Sequence, residues 1–218
     1  MKSLITTLLL VITLSSTAFG DDFIDGLAAY KKGDYKTAVK LWKPLAEKGD
    51  VRAQAVLGAM YDNGKGVEQD YKQAVKWYRL AAEQGDASTQ NNLGVRYGNG
   101  QGVIINYTEA VRLYNLSARQ GNEYGMYNFA GMYKDGKGVE EDKIYAYMWF
   151  NLANEAGHSS AKDKREELSE KMTTKELRVA QELSQKCLDS NYKDCESALP
   201  NFLHRKLNLS DEEHDDDD

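Results

Sequence analysis

Residues 35–50, 71–86 and 107–122 read YKTAVKLWKPLAEKGD, YKQAVKWYRLAAEQGD and YTEAVRLYNLSARQGN. A fourth copy, KIYAYMWFNLANEAGH, follows at the same spacing of 36 residues. Self-similarity at a fixed period between about 20 and 50 residues signals a repeat array. Each unit of such an array has too little core to fold alone and buries its apolar face on its neighbours.

Within each copy the apolar residues recur at helical spacing, as in Ala74, Val75, Trp77, Tyr78, Ala81 and Ala82. Each therefore reads as an amphipathic helix. Asp70 and Asn106 stand just before two of these helices, and Gln73 and Glu109 three residues on read as capping-box partners. Gly49, Gly85, Gly121 and Gly157 follow the last turn, where a left-handed residue stops a helix.

Upstream of each copy runs a second pattern: AQAVLGAMYDNGKGVEQD, TQNNLGVRYGNGQGVIIN and GMYNFAGMYKDGKGVEED. Its first half reads as a helix in which Gly58, Gly94 and Ala130 let the paired helix approach closely. Its second half reads as a loop carrying Gly64 with Gly66, Gly100 with Gly102 and Gly136 with Gly138, while Val67, Val103 and Val139 plug back into the core. The paired glycines are no phosphate loop, because neither Gly-Lys-Ser/Thr nor the spacing of a dinucleotide fingerprint follows.

The ends have their own logic. Lys2, an apolar run from Leu4 to Leu14 and small residues around Ala18-Phe19-Gly20 read as a signal peptide cut after Gly20, before Asp21. The run is too short to span a bilayer, and no other long apolar run follows. Removing it leaves 27 basic residues against 34 acidic ones, seven of which lie in the last eight residues, DEEHDDDD. The body from Asp21 to Ser210 is thus electrically balanced, which argues against nucleic acid as a partner. The acidic end, 201–218, reads as a solvated tail. Cys187 and Cys195 are the two cysteines of a chain read as exported, and are expected to pair.

The order LG-x-x-Y, G-x-G-V, an acidic or amide residue and then A-V-x-x-Y-x-x-A-A-x-x-G, as in Leu57 to Gly85, resembles the Sel-1-like repeat, a relative of the tetratricopeptide repeat. The resemblance implies an all-α fold: a right-handed α/α solenoid of helix-turn-helix repeats with full units at 51–86, 87–122 and 123–158. Residues 21–50 resemble a shortened first unit. Residues 159–200 read as a capping helix pair, Ala161 to Met172 and Thr174 to Leu188, with Thr173 and Glu176 forming a capping box.

In the related tetratricopeptide domains, residues flanking the Leu-Gly pair face a concave groove that holds extended peptides. Carried over, they are Arg52, Ala55 and Val56 in one unit, Ser88, Asn91 and Asn92 in the next, and Tyr124, Tyr127 and Asn128 in the third. Asn92 and Asn128 could equally satisfy neighbouring loop carbonyls, whereas Asn91 reads as facing the groove. Trp42, Trp77 and Trp149, with Tyr61, Tyr97 and Tyr133, read as core.

Catalysis is not expected. Ser159 with Lys162 and Ser190 with Lys193 fit S-x-x-K, but the companion elements of a penicillin site are missing, and His158, His204 and His214 are scattered. No metal or cofactor is implied. The function expected from the resemblance is a non-catalytic scaffold of the periplasm or cell exterior that binds another protein or peptide. The alternatives are a cell-wall-associated accessory or β-lactamase-like protein, and a solenoid that stacks on copies of itself.

Overall fold

A computed structural model of the chain describes residues 22–192 and Cys195. The expected signal peptide and acidic tail lie outside the described residues. So does Lys193.

Ten helices and no strands occur among the described residues. They are α1 (22–31), α2 (Tyr35–Glu47), α3 (Val51–Asn63), α4 (Tyr71–Glu83), α5 (Ala87–Asn99), α6 (Tyr107–Ala118), α7 (Glu123–Asp135), α8 (Lys143–Glu155), α9 (Ala161–Ser169) and α10 (Thr174–Asp189). They fall into two compact units that meet in sequence between Asn106 and Tyr107.

In the first unit α2 packs on α3, α3 on α4 and α4 on α5. Its core joins Ala38, Trp42, Leu45, Ala46, Ala53, Leu57, Met60 and Trp77, with Val67 tucked against it from the loop as expected. In the second unit α6 packs on α7 and α7 on α8, while α9 and α10 both lie against α8. The central helix α8 accordingly buries every residue from Ile144 to Phe150, together with Leu152 and Ala153. A helix apolar on all sides must be enclosed on all sides.

Local chemistry fixes where each helix begins. Asp50, Asp86 and Asn122 accept from the backbone N–H of Ala53, Thr89 and Gly125, capping α3, α5 and α7. Asp34, Asp70 and Asp142 do the same for α2, α4 and α8, so the change from tyrosine to Lys143 leaves the start of α8 in register. The reciprocal capping box is complete at Thr173 and Glu176. At α6 the Glu109 carboxylate is gripped by Arg112, with nitrogen to oxygen distances of 2.8 and 2.7 Å.

The second glycine of each loop is fixed by crowding. A Cβ on Gly66 would run into the Tyr35 backbone, one on Gly102 into that of Tyr71, and one on Gly138 into that of Tyr107. Each loop therefore rests on the first residue of the preceding repeat's second helix, and only glycine leaves room. Buried glutamines add a further tie: Gln54 donates to the Ala46 carbonyl at 3.0 Å and Gln90 to that of Ala82 at 3.2 Å, satisfying carbonyls near the ends of α2 and α4. At the far end Cys187 and Cys195 form the disulfide, linking α10 to the chain that follows it.

Candidate functional site

The residues expected on a binding face come from the first helix of each repeat. In the first unit Arg52 is exposed at the start of α3, 3.0 Å from the Asp50 carboxylate, with its guanidinium 4.3 Å above the Phe23 ring. Ala55 and Val56 follow on α3, half-buried, and Ser88 is exposed at the start of α5. Asn91 is buried at 7 % exposure, and its amide donates to Asn92 Oδ1 at 3.4 Å. It supports Asn92 from beneath more than it offers itself to a partner.

Asn92, half-buried, reaches a polar cluster with no counterpart in the expected row. Its side chain lies near the Tyr78 hydroxyl, which also faces Asp62. Asp62 Oδ1 lies 3.0 Å from Arg96 Nη1, with about 15 % of each side chain exposed. Arg96 Nη1 makes its well-aligned hydrogen bond to Gln101 Oε1 at 2.7 Å, so the contact with Asp62 is an ion pair without hydrogen-bond alignment. Burial pushes the Asp62 carboxyl above its usual range, against the pull of Arg96 and Tyr78. Burial, with the Asp62 charge beside it, also pushes the Tyr78 phenol upward. The cluster thus ties α3, α4 and α5 together by polar contacts inside the first unit.

In the second unit the expected tyrosines and asparagine lie on α7. Tyr124 is 55 % exposed, whereas Tyr127 and Asn128 are half-buried. Both rings meet His158. Tyr127 stacks on its imidazole at 4.1 Å between centroids, and Tyr124 meets it edge-on at 5.2 Å. Tyr127 also touches Phe150 edge-on at 5.4 Å, which anchors the group to the core. Burial lowers the His158 pKa, with Glu123 acting in the opposite sense.

His158 was not among the expected binding residues, although the 36-residue register held a signal. It occupies the position of Asp50, Asp86 and Asn122, each of which caps the helix that follows. Helix α9 starts later, at Ala161, so the imidazole has no cap to make. It turns to the tyrosines instead, and its Nδ1 accepts from the Ser160 N–H at 3.3 Å. Arg96 and Asp62 could have been noticed likewise, since Met60 and Met132 fill the position of Arg96 in the other repeats.

The expected core aromatics are placed as the periodicity required. Trp42, Trp77 and Trp149 are buried, and Tyr61, Tyr97 and Tyr133 half-buried. Ser159 is exposed and Lys162 lies 3.9 Å from Glu166 in an exposed ion pair.

Antiparallel helix pairs with a fixed cap, a glycine loop and a polar first-helix face define a helical repeat protein, all-α and of the solenoid class. The Sel1 repeat pattern matches residues 24–50, 51–86, 87–122 and 124–158, and the chain belongs to the Sel1 repeat family. Such repeats generally serve as scaffolds for protein–protein interaction.

Among solved structures the chain is similar to a protective antigen present in uropathogenic Escherichia coli strains and displaying an SLR fold. The two are 35 % identical with a TM-score of 0.65, over 72 % of this chain and 34 % of that one. The chain therefore spans about a third of that antigen's length. It is also similar to a Sel1 repeat protein from Oxalobacter formigenes, 35 % identical with a TM-score of 0.53, over 58 % of this chain and 95 % of that one. No curated protein sequence matches the chain.

Proposed function

We propose that this protein is an exported, non-catalytic scaffold that binds a partner protein through the first-helix faces of its repeats. The observation that carries the reading is the aromatic group of Tyr124, Tyr127 and His158. A tyrosine 55 % exposed beside a stacked pair offers a large, preorganised contact area at low entropic cost. The half-buried Asn92 adds a side-chain amide group, whose N–H can donate to an extended peptide backbone.

Export is supported by the leader-like sequence of residues 1–20 and by the Cys187–Cys195 disulfide, which suits an oxidising compartment. No helix among the described residues is long and apolar enough to cross a membrane. A binding role is favoured over a penicillin-type site by the setting of Lys162, whose ammonium faces Glu166 on an open helix surface. A lysine that activates a serine needs a sheltered, desolvated setting.

The test starts from a photoreactive side chain at Ser88 or at Tyr124 in the native compartment, followed by purification of the captured protein and direct titration. Tyr124→Ala with Tyr127→Ala should weaken binding at least tenfold, as expected when an interface loses its aromatic anchors. Unchanged affinity in the double variant would remove the aromatic face from the interface. Fractionation that left the chain wholly in the cytoplasm would overturn export.

A further inference from the structure

The first unit contains the same inter-repeat junction twice, built differently each time. A Cβ on Gly26 would strike the Trp42 indole, and one on Gly58 would strike the Tyr78 ring. Trp42 and Tyr78 are 36 residues apart, so Gly26 and Gly58 are equivalent, and four residues on Tyr30 stands where Asp62 stands. By the same register Met60 answers to Arg96 and Lys65 to Gln101.

At the second junction the space between α3 and α5 is filled from within. The Asp62 carboxylate faces the Arg96 guanidinium, and Gln101 closes the rim. At the first junction neither the carboxylate nor the guanidinium is present. A cavity of about 240 Å³ remains, lined by Leu27 and Tyr30 of α1, Trp42 of α2, and Ala59 and Met60 of α3, with Lys65 at its mouth.

Lys65 is held there in a defined pose. Its ammonium bonds the Tyr30 hydroxyl at 3.0 Å and lies 5.3 and 5.5 Å from the Tyr30 and Tyr35 ring centres. Among the described residues no carboxylate pairs with it. A fixed cation at the rim of an apolar hollow is complementary to an anion attached to an apolar group. The volume decides what kind: sites for drug-sized molecules run to about 300–1,000 Å³, so this hollow suits one large side chain.

We propose that the α1–α3 cavity is a peptide subsite that takes an aliphatic side chain of the partner, with the neighbouring carboxylate on Lys65. The occupant brings from outside the carboxylate that Asp62 supplies internally one repeat later. The subsite rests on the scaffold reading above and names the chemistry that part of the partner must carry.

The probe is acetyl-Gly-Gly-Leu with a free carboxylate, titrated into the full chain labelled with 5-fluorotryptophan and followed by fluorine NMR. The Trp42 signal should shift saturably while those of Trp77 and Trp149 stay in place. Amidating the peptide, or Lys65→Met, should each weaken binding about tenfold, the usual loss for a hydrogen bond to a charged group. Ala59→Phe should fill the hollow and abolish the shift.

No shift at Trp42, equal binding of acid and amide, or a shift persisting in Ala59→Phe would each overturn the subsite. Concentration-dependent mass in light scattering that vanished in Ala59→Phe would assign the cavity to a second copy instead. Because the titration needs no partner, it can fail while capture at Tyr124 still succeeds, which separates this proposal from the scaffold reading.

Discussion

The phenol ring of Tyr127 lies flat on the imidazole of His158, with the planes 10° from parallel. Burial pushes the imidazole below its ordinary pKa of 6.5, and the Glu123 carboxylate counteracts only part of that. The folded chain therefore favours the neutral ring. The unfolded chain takes up the proton first, so the stability this group contributes is present above pH 6.5 and is lost as pH falls through the folded-state value. An NMR titration should place the His158 midpoint below 6.5, and Tyr127→Ala should raise it. A midpoint at or above 6.5 in the parent chain would refute the burial.

The Asp62–Arg96 pair is predicted to matter as a pair. Arg96→Met leaves the Asp62 carboxylate half-buried without its cation and should cost about 2 kcal/mol in urea unfolding. That is below the range for a fully buried pair, because both side chains keep some solvent contact. Adding Asp62→Tyr reproduces the Tyr30 and Met60 combination of the first junction and should recover at least half of the loss. Additive losses would show that the two charges are not coupled.

Glycines at superficially similar helix positions should respond in opposite directions. Gly26→Ala drives a methyl into the Trp42 indole, whose Nε1 donates to the Phe23 carbonyl at 3.1 Å. It should destabilise the first unit by about 1–3 kcal/mol through overpacking. Gly131 in α7 has nothing within 4 Å of a Cβ, so Gly131→Ala should stabilise by about 0.5–1 kcal/mol through reduced backbone entropy. Thermal unfolding of both variants checks the pair, and two shifts of the same sign would contradict the packing.

Opening the disulfide should act locally. Cys187 is fully buried, and the closed loop separates the two cysteines by 8 positions. Chain entropy for a loop of this size corresponds to about 2–3 kcal/mol. Replacing both cysteines with serine should lower the melting temperature and raise amide exchange in α10 before α7 and α8. Uniform exchange throughout the second unit would mean that α10 is not an independent edge.

Much of the architecture could be read from residues that recur every 36 positions. Asp70 and Asn106 announced helix starts, and α4 and α6 each begin one residue later. The disulfide followed from cysteine count and expected compartment. The candidate site was harder. Asn91 read as a groove residue but is buried while Asn92 is half-buried, because one step around a helix turns a side chain by about 100°. Likewise the Asp70 cap was legible and accepts from both Lys72 and Gln73, whereas the Asp70 N–H that Gln73 was expected to reach donates to the Tyr61 carbonyl at 2.9 Å.

Sequence alone determined the repeat, its helices and its loops, because caps, glycines and apolar spacing act over a few residues and carry their meaning wherever they stand. Tertiary structure decided the rest. Whether Lys65 faces a carboxylate, whether Arg96 finds Asp62, and whether His158 caps a helix or stacks on Tyr127 depend on side chains brought together across helices. Those distances are set by packing, and a register of 36 residues does not contain them.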